Sequence, residues 1–186
     1  MRIVGGKWRG RKLHKLYNKV LVSDLRPTLD RVRETIFNIL THGIYYEMKG
    51  ARVLDLFCGT GALGFEALSR GANCTCFIDN EKSSLNVVKE NKILLKVGDE
   101  VTISQRDATK LNQNVGRAYN LIFLDPPYGK SLGELAIDQA LDKGWVSNDA
   151  IVVWEESNEI NPPKALSLIR TKKIGHSSIN FLKRYG

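Results

Sequence analysis

Apolar and polar positions along this 186-residue chain follow two regimes. From residue 51 onward, short apolar runs alternate with stretches in which apolar residues return every three or four positions, the mark of strands alternating with amphipathic helices. Ala51 to Phe57, Cys74 to Ile78, Val101 to Gln105, Asn120 to Leu124 and Ala150 to Trp154 read as strands. Ala62 to Arg70, closed by Gly71, reads as a helix, as do Glu81 to Lys96, carrying Leu85, Val88 and Leu95, and Leu132 to Leu141. That order predicts an α/β fold with a mostly parallel sheet and helices on both faces. After Glu155 the chain is broken by Pro162-Pro163 and continues in two β-like runs, Leu166 to Ile174 and Ser178 to Tyr185. Only Gly175-His176-Ser177 separates them, so antiparallel pairing is expected. Residues 1 to 25 differ, reading as short strands with turns at Gly5-Gly6 and Gly10, a small β appendage. A helix then opens at Arg26-Pro27-Thr28, with Thr28 in the cap position and Leu29, Val32, Ile36, Ile39 and Leu40 on one face. The length suits one domain plus an appendage, divided as an arm over 1–25 and a domain over 26–186.

Composition narrows the class. With 42% hydrophobic and 26% charged residues, the chain is globular rather than disordered or fibrous. No apolar run approaches the roughly 20 residues of a bilayer span, and Met1 to Gly6 lacks the apolar stretch of a leader, so a cytoplasmic location without membrane association is expected. Cys58, Cys74 and Cys76 are odd in number, and no second Cys or His pair stands at zinc-ligand spacing. Reduced thiols and no metal are expected. His14, His42 and His176 read as surface or packing residues, and no Ser-His-Asp arrangement is suggested.

The net charge of +8 is concentrated at one end. Residues 1 to 33 carry ten basic side chains (Arg2, Lys7, Arg9, Arg11, Lys12, Lys15, Lys19, Arg26, Arg31 and Arg33) against Asp24 and Asp30. Residues 164 to 186 hold six basic groups and no acid. An arm of this density is the footprint of a polyanion partner, since each phosphate neutralised releases condensed counterions. Trp8 and Tyr17, interleaved with the charges, offer rings that stack on unpaired bases, although Trp8 equally suits a hydrophobic anchor holding the arm to the body. Arg31 and Arg33 fall on the two shoulders of the first helix and are expected to project toward whatever the arm binds. The candidate nucleic-acid contacts are Arg2, Lys7, Trp8, Arg9, Arg11, Lys12, Arg26, Thr28, Arg31 and Arg33.

The chemistry sits at strand ends, where open parallel sheets bind ligands. Asp55 lies in the first strand, Asp79 just after the second, Asp107 after the third and Asp125 after the fourth, so four carboxylates are expected along one edge. Gly59, Gly61 and Gly64 satisfy the G-x-G-x-x-G dinucleotide pattern, but Asp55 just before them opposes a pyrophosphate. Asp55 suits a cation. A ligand with an adenosyl head, an ammonium, a sulfonium and no phosphate fits, and S-adenosylmethionine answers that description. Asp79 is then placed for the ribose hydroxyls, and Asp107-Ala108 for adenine. Phe57 and Cys58 in the loop, and Asn80 beside Asp79, complete the candidate cofactor set. In Leu121 to Tyr128 an apolar strand runs into Asp125-Pro126-Pro127-Tyr128, where two prolines fix φ and remove backbone donors. Such an acceptor-rich turn suits an exocyclic amine: the Asp125 carboxylate and the Pro126 carbonyl accept its hydrogens and stabilise positive charge growing on nitrogen, and Tyr128 offers a face to an extruded base.

Val53 to Gly61, together with Asp125 to Tyr128, resembles the class I S-adenosylmethionine-dependent amino-methyltransferases. More narrowly, Met1 to Leu13, Arg26 to Glu34 and Gly61 to Ala72 closely resemble the RsmD family, bacterial methyltransferases of guanine N2 in 16S ribosomal RNA. The resemblance covers nearly the whole chain. It implies a Rossmann-like seven-stranded sheet with the last strand antiparallel, one methyl transfer to guanine N2, and action on a small subunit already carrying proteins. A monomer is expected. Asp55, Gly59, Gly61, Asp79, Asp107 and Asp125 to Tyr128 fall on the family's motif positions. Two departures stand out: Cys58 where a small Ala is common, and a segment between Glu155 and Leu166 too short for a full helix. The alternatives are a DNA adenine-N6 methylase using the same turn, for which a 25-residue arm leaves little room for target recognition, and a non-catalytic RNA-binding assembly factor, against which the intact Asp-Pro-Pro-Tyr argues. NAD-dependent reduction is disfavoured by Asp55.

Overall fold

A computed structural model describes residues 1–16, 25–127 and 131–185, with 25–29 described through their backbone alone. Seven strands form one sheet in the order β3-β2-β1-β4-β5-β7-β6. They are β1 (Arg52–Leu56), β2 (Cys74–Asp79), β3 (Val101–Gln105), β4 (Tyr119–Leu124), β5 (Val146–Glu156), β6 (Leu166–Ile174) and β7 (Ser177–Arg184). The helices are α1 (Leu25–Asn38), α2 (Ala62–Ser69), α3 (Lys82–Leu95) and α4 (Leu132–Asp142). β1 to β5 run parallel, and β7 is antiparallel to both β5 and β6. The near-continuous apolar sequences of β1 and β4 fit strands covered on both faces.

Alternation along each strand divides the core. Val53, Phe123, Val153 and Phe181 face α1, while Phe77 and Val101 face α2 and α3. On the other side, Leu54, Ile122, Val152, Trp154 and Leu182 meet Ala136, Ile137 and Ala140 of α4. Strand order reverses between β1 and β4, the switch point at which such sheets open a crevice at their carboxyl edge. A short π-helical turn, Ile39–Gly43, extends α1, and no helix occupies the segment between β5 and β6.

The first residues form the expected hairpin only in miniature. One antiparallel bridge, Arg2 to Lys12, is flanked by bonds from Ile3 N–H to the Arg11 carbonyl at 3.0 Å and from Leu13 N–H to the Met1 carbonyl at 3.2 Å, with a 3-10 turn, Gly6–Trp8, between the two sides. Docking onto the body completes their order. Ile3 and Leu13 are buried in the core beside Phe65, Leu68 and Val88. Gly6, at φ +73°, lies so close that a Cβ would stand 1.9 Å from the Ser69 carbonyl. Helix α1 begins at Leu25, three residues before Thr28.

Candidate functional site

Between β1 and α2 the chain reverses within a few residues. Phe57 (φ 57°), Gly59 (φ 53°) and Gly61 (φ 75°) all take the left-handed conformation. The turn is tied at both ends: Cys58 N–H donates to the Ile78 carbonyl at 3.1 Å and Gly61 N–H to the Cys58 carbonyl at 2.7 Å. A Cβ on Gly61 would come within 2.9 Å of Phe65, whereas one on Gly59 would meet nothing. The loop is therefore bare above Gly59 and packed below Gly61.

Carboxylates hold this loop. Asp55, 2% exposed, accepts the Gly64 N–H in the first turn of α2 at 3.0 Å. Asp79 accepts the N–H groups of Gly59 and Glu81, each at 2.9 Å, joining the loop to the start of α3. Donors that a pyrophosphate would need are thus already taken by two carboxylates and a carbonyl, and the G-x-G-x-x-G spacing does not make an anion site. Burial drives the Asp55 carboxyl well above its usual range, and Asp125 and Asp79 push it further the same way. A cationic ligand entering this edge relieves that repulsion. Asp107 is half-buried and caps the 3-10 turn Ala108–Lys110, accepting from Thr109 N–H at 2.9 Å and Thr109 Oγ1 at 2.7 Å. Those bonds, with weaker help from Lys110, hold it below the usual carboxylate range. Ala108 is buried, Cys58 is buried, Phe57 is half-buried and Asn80 is exposed, its carbonyl accepting from Gln105 Nε2 at 3.1 Å. Burial first, then Asp55 and Asp79, pushes the Cys58 thiol far upward, so it is an inert apolar floor.

β4 delivers the third part. Asp125 and Pro127 are exposed and Pro126 is buried, so one proline anchors the turn while the carboxylate faces outward. Asp55, Asp79, Asp107 and Asp125 all sit at the carboxyl edge of the sheet, as the spacing implies. Tyr128 and the side chains of Arg26 and Thr28 lie outside the described residues.

The arm runs along the outer side of α2 and α3 and divides the basic candidates. Arg9, Arg11, Lys12 and Arg31 are exposed, and Arg2 is exposed while paired with Asp30 at 3.4 Å. Lys7 lies 4.2 Å from the Trp8 ring centroid. Trp8 is half-buried against the α2–α3 core, and its backbone N–H donates to Ser69 Oγ at 2.9 Å, so the ring is seated on the body as an anchor. Arg33 departs from the expectation that it projects. It is 4% exposed, donates to Asp30 at 2.7 Å and to the Arg2 carbonyl, and lies 3.8 Å from Glu66. Two nearby carboxylates draw it inward, against α2. Periodicity also misses the residues that seat the arm. Glu66, fully buried, accepts the Val4 N–H at 2.8 Å and Arg70 Nε at 2.7 Å. Asn91, also fully buried, accepts the His14 N–H at 2.7 Å and donates to the Thr60 carbonyl at 3.1 Å, linking arm and glycine loop. Glu66 is the one charged residue of α2, and Asn91 stands between Val88 and Leu95 on the apolar period of α3, a signal present in the sequence.

A strand-order switch point, a glycine loop braced by carboxylates and an Asp-Pro-Pro turn on the neighbouring strand define a Rossmann-like methyltransferase. The model of the family described as "Conserved hypothetical protein 95" matches residues 1–183. Ribosomal RNA small subunit methyltransferase D of Escherichia coli is 37% identical over 190 residues, covering 99% of this chain and 90% of that protein. The protein of the same name from Haemophilus influenzae is 36% identical over 181 residues, covering 94% and 89%. A solved Escherichia coli structure, yhhF, superimposes with a TM-score of 0.83 at 36% identity, covering 100% of this chain and 98% of that one. The chain belongs to this family, the RsmD methyltransferases.

Proposed function

We propose that the protein transfers a methyl group from S-adenosylmethionine to the exocyclic N2 amine of a guanine in 16S ribosomal RNA, within an assembling small subunit. The observation that carries the reading is the carboxylate edge. Asp55, Asp79 and Asp125 converge electrostatically on a loop whose three glycine N–H groups are already engaged. That environment favours a ligand bearing positive charge and no phosphate. The relatives named ribosomal RNA small subunit methyltransferase D support the RNA substrate, and the resemblance to their family supports guanine N2.

S-adenosylmethionine, when bound, supplies an electrophilic methyl group on a cationic sulfur. Asp79, oriented by two backbone N–H groups, is assigned the ribose hydroxyls. Ala108 is assigned the adenine face, with ionised Asp107 beside it. Asp55 fixes the helix start through Gly64, and a cationic ligand beside it would favour its charged form. Asp125 and the Pro126 carbonyl accept the amino hydrogens and stabilise the charge that develops on nitrogen as it forms its new bond. Tyr128 is assigned a stacking role against the base, and Arg2, Lys7, Arg9, Arg11, Lys12, Arg26, Thr28 and Arg31 the RNA backbone. The test is incubation with methyl-labelled cofactor and undermethylated small subunits, naked 16S RNA or duplex DNA, followed by nucleoside analysis. Labelled N2-methylguanosine from the small subunit is expected. Label in N6-methyladenine of DNA, or in no nucleic acid at all, would overturn the proposal.

A further inference from the structure

We propose that the outer edge of the sheet, strand β6 with the adjoining flank of α1, is a second phosphate-binding surface that holds RNA leading away from the target base. This rests on the RNA-methylation reading above. β6 closes one end of the sheet, and every residue from Ser167 to Lys173 is exposed. Arg170 and Lys172 share a face with Phe181 and Ile179, their partners on β7, and so point to the α1 side. There they line a cleft of about 400 Å³ with Thr35, Asn38, His42 and Gly43. Among the described residues neither Arg170 nor Lys172 makes an ion pair, unlike Arg2, Arg33 and Arg70 of the arm and its seat. Exposed cations without internal partners, in a segment with no acid from 164 to 186, suit a polyanion.

Strand register places this cleft relative to the chemistry. Leu124 pairs with Trp154, Trp154 with Asn180 and Asn180 with Thr171. One residue further along, Glu155 pairs with Ile179 and Ile179 with Lys172, on the α1 face of the sheet, and Asp125 follows Leu124 just past the end of β4. With strands about 4.8 Å apart, Lys172 lies roughly 14 Å from Asp125 across the sheet, within reach of nucleotides flanking an extruded base. Glu155 stands between them as the acidic member of that row, so the favourable contacts begin beyond it, at Lys172 and Arg170. Arg31, exposed one turn before Thr35, continues the same flank of α1 toward the carboxyl edge. Leu168 and Ile169, exposed on the same strand, would serve a protein partner rather than phosphate.

The experiment compares wild type, Arg170→Gln/Lys172→Gln and a charge-matched control, Arg117→Gln/Lys143→Gln, in the segments that lead into β4 and β5. Affinity for naked 16S RNA and for undermethylated small subunits is measured against salt concentration, with thermal unfolding and S-adenosylmethionine affinity as checks of integrity. Losing two phosphate contacts should make the slope of log affinity against log salt shallower by about 1.4 to 1.8, with the control variant unchanged. An unchanged slope would overturn the proposal. So would weakened particle binding with RNA affinity intact, which would mark a protein contact. Wild type that transfers no methyl to RNA would instead fail the proposed function itself, a result visible before any variant is made.

Discussion

Removing the charge of Glu66 tests how the arm is held. The carboxylate is fully buried in the middle of α2, accepts Val4 N–H at 2.8 Å and Arg70 Nε at 2.7 Å, and lies 3.8 Å from Arg33 Nε. Arg33 Nε has no hydrogen-bond partner among the described residues, so Glu66 is its electrostatic partner at that atom. Hydrogen bonds to charged groups contribute about 1.5–3 kcal/mol each, and stripping one member from a buried pair costs about 3–5 kcal/mol. Glu66→Gln keeps the shape and one acceptor, and Arg33 keeps Asp30 at 2.7 Å. We therefore expect a loss of about 2–3 kcal/mol for Glu66→Gln and about 3–5 kcal/mol for Glu66→Ala. Urea unfolding should show the midpoint falling at constant slope. Trypsin should cut faster at Arg9, Arg11 and Lys12 as the arm loosens. A Gln variant within about 0.5 kcal/mol of wild type, with the arm equally protected, would refute the role of this carboxylate as the seat of the arm.

Asp125→Ala should abolish methyl transfer while weakening cofactor affinity only in proportion to the one charge lost from the edge, measured by single-turnover transfer and by titration; a fully active variant would remove Asp125 from the chemistry. Gly64→Ala places a Cβ 2.4 Å from the Phe77 ring and 2.6 Å from Thr75, so it should destabilise the fold by about 1–3 kcal/mol in urea unfolding. Asp55 is raised in the folded state by burial, so the folded protein binds its proton more tightly than the unfolded chain. Its stabilising contribution is present below the unfolded value and lost as pH rises through the folded one. Asp55→Asn should flatten the decline of ligand-free stability above that window while weakening cofactor uptake; a variant with the wild-type pH profile would contradict the assignment.

Much of this architecture is written locally. β3 and β6 begin and end where the apolar runs do, Val101–Gln105 and Leu166–Ile174, because Gly98 and Asp107 bound the first, and Pro163 and Gly175 the second. The carboxylates are legible for the same reason: strand ends in a parallel sheet share an edge, and the strands are easy to find. Residues fixed by distant partners are not. Arg33 looks like a surface shoulder by period, and only Asp30 and Glu66, the latter on another helix, draw it inside. The arm reads as a hairpin because Gly5-Gly6 and Gly10 suggest turns, and Ile3 and Leu13 do pair with Arg11 and Met1, yet Val4, Trp8 and His14 give their N–H groups to Glu66, Ser69 and Asn91. No local pattern encodes such pairings. The engagement of the glycine-loop donors is likewise invisible in a motif that matches a dinucleotide site letter for letter.

Calorimetric titration of the full chain tests most directly whether the carboxylate edge takes a cationic methyl donor. Saturable one-to-one uptake of S-adenosylmethionine is expected, weakened at least about tenfold by Asp79→Ala through loss of a charge-assisted contact, with no uptake of NADH. Binding of NADH without binding of S-adenosylmethionine would contradict the account at its root.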